Sequence, residues 1–138
     1  MAYEPGYLII DVGGDDAGAI GLGRYADALS AYQADMDMLY VVNRYRYLTE
    51  QPQEALELMQ EIEAVSRMRH TGIVNNSNLG RETTAKLIEQ SVSYGEQIAA
   101  AAGIPLVYTT YPEHLAVQVP NGLPVSVYVK AIWDQDPE

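Results

Sequence analysis

Tyr7-Leu-Ile-Ile-Asp11-Val-Gly13-Gly14-Asp15-Asp16-Ala-Gly18-Ala-Ile-Gly21-Leu-Gly23-Arg24 is the stretch on which the reading of the fold turns. Its opening run, Tyr7 to Ile10, is apolar without interruption. A half-exposed strand alternates, so this pattern predicts a buried parallel strand over Tyr7–Val12. The run ends on an acid, Asp11, and passes through glycines into a predicted helix from about Ala17 to Tyr32. In open α/β sheets ligands bind beyond the carboxyl ends of the strands. An aspartate there suits a hard cation such as Mg²⁺, held directly or through water. A plainer reading stands beside this one: a tight strand-to-helix turn in which Gly13 and Gly14 supply unusual backbone angles and Asp15 or Asp16 caps the helix. The spacing Gly18-x-x-Gly21-x-Gly23 is not a dinucleotide fingerprint, and two adjacent carboxylates would repel a pyrophosphate.

Outward from that stretch, three more strands are predicted: Met38–Val42, Thr71–Asn76 and Ile104–Thr109. A weaker alternating segment covers Val125–Val129 after the Pro120-Asn121-Gly122 turn. Two helices separate the first three. One runs from Pro52 to about Arg69, with Ala55, Leu58, Met59, Ile62 and Val65 on one face. Glu54, Glu57 and Glu61 form its solvated side, and Glu63 and Arg67 sit at the favourable i,i+4 spacing. The other spans about Glu82 to Ala102, stopped by Gly103 with Pro105 beyond. Strands alternating with helices of this length indicate a parallel, doubly wound α/β sheet. The 138 residues read as a single domain or half-domain, with a loose tail from Trp133.

Composition narrows the function. Eight Lys and Arg face nineteen Asp and Glu, giving a formal charge of −11. That leaves no basic stripe for nucleic acid and disfavours an anionic membrane surface. No apolar run is long enough to span a membrane, and no signal peptide is expected. Cysteine is absent, which removes disulfides, thiolate metal sites and a cysteine nucleophile, and fits a cytoplasmic setting.

The polar residues converge. Asp11, Asn43, Asn76 and Pro112-Glu113 each fall at the carboxyl end of a predicted strand, which would bring them to one edge of one sheet. Other chemistry is thinner. His70 and His114 lack metal-ligand spacing; His70 is expected to complement a helix end and His114 to lie in a loop. Asp15 and Asp16 are adjacent carboxylates, a pattern commoner in solvated turns than in acid–base pairs. The eleven tyrosines, with no phenylalanine, read as core and boundary aromatics.

Asp11-Val-Gly-Gly14-Asp15, the strand ending Asn43-Arg44, and Gly72-Ile-Val-Asn-Asn76-Ser77 followed by Arg81-Glu82 together resemble the second half of the ParA/MinD and nitrogenase iron protein family. These are P-loop ATPases that work as nucleotide-switched dimers. The order is collinear from about Tyr7 to His114. The resemblance implies a Walker B role near Mg²⁺ for Asp11, a switch sensing the γ-phosphate at Gly14 and Asp15, and an adenine frame from Asn76, Pro112 and Glu113.

Two departures qualify it. A Walker A loop needs lysine directly after glycine, and the only lysines follow Ala85 and Val129. Gly18 stands where the iron protein has its cluster cysteine, so no iron–sulfur cluster is expected. The expectation is therefore a carboxyl-terminal part of an ATP-binding switch. It would use ATP and Mg²⁺ only together with a missing amino-terminal half or a homodimer partner, and would not hydrolyse ATP alone, since the phosphates lack their clamp. A non-enzymatic protein-interaction module on a degenerate scaffold is the competing expectation. A Mg²⁺ enzyme built on Asp11, Asp15 and Asp16 is the third.

Overall fold

The computed structural model describes residues 6–14 and 16–128. Its elements, in chain order, are α1 (Asp16–Gly23), α2 (Ala26–Ser30), β1 (Leu39–Val42), α3 (Pro52–Ser66), β2 (Gly72–Asn75), α4 (Ala85–Ala102), β3 (Leu106–Pro112) and β4 (Gly122–Val125). Short 3₁₀ turns cover Gln33–Asp35 and Gly80–Glu82. The contacts divide the chain into two compact units: Met1–Met36 with Gln60–Arg69, and Asp37–Met59 with His70–Glu138.

The larger unit holds a four-stranded, all-parallel sheet in the order β1-β2-β3-β4. Val42 pairs with Asn75 and Asn75 with Thr109, so these three share one face. Helices cover that face: Tyr40 Oη donates to the Ala55 carbonyl of α3, and Asn75 Nδ2 donates to Ser91 Oγ of α4. Tyr40, Val42, Ile73, Ile88 and Ile98 are buried there. At Gly95 a side chain would meet Asn75 Cβ and Leu106 at 3.2 Å, so this glycine lets α4 lie directly on the sheet. Leu39, Val41, Tyr108 and Leu123 stay exposed on the other strand positions.

α4 forms as its sequence directs, three residues later than expected. Thr84 caps it by accepting from Leu87 N–H at 3.3 Å, and Gly103 ends it in the left-handed region at φ 71°. Gly80, at φ 59°, turns the preceding segment into a 3₁₀ turn instead. α3 ends at Ser66 because Arg67 is left-handed, at φ 59°. Its inward face is Ala55, Met59, Ile62 and Ser66, while Val65 turns outward; Glu54, Glu57 and Glu61 are exposed as expected. The last strand is Gly122–Val125 rather than Val125–Val129, which lies partly outside the described residues. It starts directly after Asn121, whose φ is 49°.

The founding expectation fails. Residues 7–12 form no strand, and Tyr7, Leu8 and Ile9 are at least four-fifths exposed. A buried parallel strand needs a hydrogen-bonded neighbour and a covered face. Among the described residues nothing pairs with this run, so apolar continuity alone does not make it a strand. The helix expected over Ala17–Tyr32 is likewise broken into α1 and α2, and the 3₁₀ turn follows it. Gly21 and Gly23 weaken its middle, and Gly23 lies so close to the Val65 carbonyl that a Cβ would sit 3.0 Å from it. Gly14 adopts no left-handed angle, so its expected backbone role is not seen. A side chain at Gly18 would collide with the Gly13 carbonyl, which gives that glycine a packing reason of its own. In the same unit Arg67 Nη2 donates to the Gly23 carbonyl, and its Nη1 lies 3.7 Å from Asp27.

Two tyrosines tie the larger unit internally. Tyr94 Oη donates to the Thr49 carbonyl, and Tyr45 Oη to the Leu87 carbonyl at 2.7 Å. Burial pushes the Tyr94 phenol up from 10 to about 12, with Glu54 adding to the rise while the Thr49 side-chain hydroxyl and Arg44 offset part of it. Burial, and secondarily Tyr94, also hold the Tyr40 phenol well above the usual tyrosine range. The folded state thus favours both neutral phenols. That stability is fully present below the unfolded tyrosine value near 10, and for Tyr94 it is lost as pH rises through about 12. Urea denaturation should show stability falling across that window. Tyr94→Phe should shrink the fall and, at neutral pH, cost about 1 kcal/mol for the lost hydrogen bond.

Candidate functional site

The carboxyl ends of β2, β3 and β4 open into a cavity of about 600 Å³, within the usual size range of small-molecule sites. Ile88, Tyr111, Pro112, Val125 and Val127 make its apolar walls. Asn76, Asn78, Arg81, Thr83, Thr110, Glu113, His114 and Ser126 bring polar groups to it. Three of the residues expected to frame a ligand, Asn76, Pro112 and Glu113, are therefore brought together.

Most of the polar residues near this edge are spent on the scaffold. Asn43 Oδ1 accepts from the N–H groups of Tyr45 and Asn78, at 3.0 and 3.2 Å, and its Nδ2 donates to the Asn78 carbonyl at 3.2 Å. It clamps the loop after β1 to the loop after β2 and is not a cavity residue. Asn75, fully buried, holds Ser91 through Nδ2 at 2.9 Å and accepts from Ser77 Oγ at 2.6 Å. Ser77 Oγ accepts in turn from the Arg44 N–H at 2.9 Å. Asn78 donates to the Asn76 carbonyl and accepts from Gly80 N–H. Thr83 Oγ1 accepts from Leu79 N–H at 2.8 Å.

Asn76 differs. Thr110 Oγ1, from β3, donates to its Oδ1 at 2.5 Å, and its Nδ2 is committed to no other group among the described residues. The amide is thus oriented by one contact and half-buried at the cavity wall. It offers two N–H donors and a remaining carbonyl lone pair, side by side. Sequence reasoning singled out Asn76 but missed Thr110; a threonine inside an apolar strand carries no local signal of an inter-strand partner.

The other predicted positions do not join this group. Asp11 is exposed on an irregular segment of the smaller unit, beside a hollow of about 430 Å³ lined by Leu8, Ile10, Leu22 and Tyr25. It does not end a strand, because no strand forms there. Gly14 is exposed in the same unit, and Asp15 lies outside the described residues. Among the described residues no three His, Cys, Asp or Glu side chains cluster as a metal site would require. The carboxylates expected to stand with Asp11, Asp15 and the Asp16 side chain, lie outside the described residues. His70 is not at a helix end: it lies four residues past α3, buried with its ring 5.1 Å from that of Tyr40. Among the described residues no helix is long and apolar enough to cross a membrane.

No family model matches the chain, and neither a curated protein nor a solved structure resembles it significantly.

The two adjacent asparagines should behave oppositely. Asn75→Ala leaves Ser91 and Ser77 without their buried partner and should cost about 2–4 kcal/mol in urea denaturation. Asn76→Ala removes one hydrogen bond at a cavity wall and should cost about 1 kcal/mol or less.

Proposed function

We propose that this cavity takes the adenine ring of a nucleotide, and that the chain is the base-binding part of a nucleotide switch of the ParA/MinD type. The observation that carries this reading is the Thr110–Asn76 contact. An amide presenting a donor beside an acceptor matches adenine, whose exocyclic amine lies next to a ring nitrogen acceptor. Guanine offers two acceptors at the equivalent edge and leaves the carbonyl lone pair of Asn76 unanswered. The apolar walls suit a flat ring, and Pro112 and Glu113 stand at the rim the resemblance assigns to the base.

The phosphates are a separate matter. The chain has no lysine directly after a glycine, so nothing in it supplies the charged phosphate clamp. In this reading the clamp, and with it the Mg²⁺ bound to the β- and γ-phosphates, comes from a missing amino-terminal half or a homodimer partner, and the chain alone does not turn over ATP. Asp11 and Asp15 would then act only in that assembly. The second reading, an interaction module without nucleotide, draws on the exposed apolar positions of the sheet, Leu39, Val41, Tyr108 and Leu123.

Adenosine, which lacks phosphates, separates the two. Calorimetry should detect its binding to the chain, weakened by Asn76→Ala by about 0.5–3 kcal/mol with the fold retained. Guanosine should bind less tightly, and Thr110→Val should narrow the difference by freeing the amide to turn over. Equal affinity of the wild-type chain for adenosine and guanosine would refute base reading by Asn76. No binding of either would favour the interaction module. Phosphate release from ATP by the chain alone should stay at background.

A further inference from the structure

We infer that the cavity takes a whole adenosine 5′-monophosphate unit, with Arg81 as the cation that holds its phosphate. The inference rests on the adenine reading of the same cavity and adds a phosphate end to it. Size is the first reason. A flat base fills only part of a cavity of about 600 Å³, which leaves room for a sugar and a phosphate within the same walls.

The second reason is how Arg81 is placed. It sits in the 3₁₀ turn Gly80–Glu82, and two polar side chains of the cavity are spent on fixing that turn. Asn78 Oδ1 accepts from the Gly80 N–H at 3.1 Å, and Thr83 Oγ1 accepts from the Leu79 N–H at 2.8 Å. The Thr83 N–H closes the turn on the Gly80 carbonyl at 3.2 Å. Gly80 is left-handed, a conformation that glycine adopts without a steric penalty. Through Asn78 the turn is also tied to Asn43 at the end of β1. The backbone that carries this exposed arginine is therefore held on both sides of it, at the wall of the cavity. A turn ordered in advance loses little freedom when its side chain engages a ligand.

Charge gives the third reason. Among the described residues Arg81 is the only arginine or lysine lining the cavity. Glu113 lines it as well, from the other flank. It follows the last residue of β3, and its N–H donates at 3.0 Å to the carbonyl of Val125, the residue after Pro124 on β4. A ribonucleotide answers both charges. The guanidinium fork matches phosphate oxygens, and a carboxylate accepts from sugar hydroxyls. A nucleoside offers the guanidinium no anion. Arg81 does not replace the absent clamp, which grips the β- and γ-phosphates.

The net charge makes the test sharp. At −11 the chain repels a phosphate at long range, so without a local cation adenosine 5′-monophosphate would bind less tightly than adenosine. Calorimetry on the full chain should find the opposite order. The monophosphate should bind about tenfold tighter than adenosine at low salt, and the advantage should shrink as salt rises. Arg81→Gln should abolish the advantage and leave adenosine binding as it was. Arg81→Lys should keep part of it, and serves as the second variant should the first fail to fold. Arg81 is exposed, so the urea midpoint should stay at the wild-type value in both. Adenosine binding with no gain from the phosphate would overturn this inference and leave the base reading standing. A gain that survives Arg81→Gln would overturn it too. No binding of either compound would overturn both readings.

Discussion

The buried amide of Asn75 is the constraint on which the larger unit depends. It sits in the middle strand, fully enclosed, on the face covered by helices. Each of its polar atoms must find a partner there, because an unpaired buried amide costs several times what a satisfied one contributes. The solution reaches three elements. Ser91 answers from α4, Ser77 from the loop after β2, and through Ser77 the network reaches the backbone of Arg44 after β1. Ser91 Oγ also donates to the Ile88 carbonyl of its own helix, so the chain of bonds ends satisfied. A satisfied polar network of this kind admits one arrangement of helix and loops, whereas an all-aliphatic contact would tolerate sliding.

With the loops fixed in that way, the cavity beside them is already ordered by the chain's own contacts. The Asn43–Asn78 clamp holds both exit loops, and Thr110 holds Asn76. A pocket built on strand ends and pinned by its own hydrogen bonds loses little conformational freedom on binding. This is also why Asn43 and Asn75 differ in role from Asn76, although all three are asparagines at strand ends: two are consumed in holding the frame, and one faces the space that the frame leaves.

The sequence disclosed the parallel architecture because three strand segments and two long helices carried clear periodicity, and because Gly103 and the Glu54, Glu57 and Glu61 face marked α4 and α3. It disclosed the grouping of Asn76, Pro112 and Glu113, since residues ending neighbouring parallel strands must lie side by side. It misled over Tyr7–Val12. Uninterrupted hydrophobicity reports what a segment would bury given a neighbour, and says nothing of whether a neighbour exists. Thr110 and Ser91 were silent for a related reason: a hydroxyl within a strand or helix acquires its meaning from another element, distant in sequence. Arg67 could not be foreseen as the end of α3, because nothing in its type prefers a left-handed backbone.

Pro124 has a consequence of its own. A sheet with two open edges can add neighbours at both sides, and backbone pairing then has no natural end, which is the geometry of fibre growth. Here one flank lacks a donor at its centre. A neighbour added on that flank would gain fewer main-chain hydrogen bonds than one added to an uninterrupted strand.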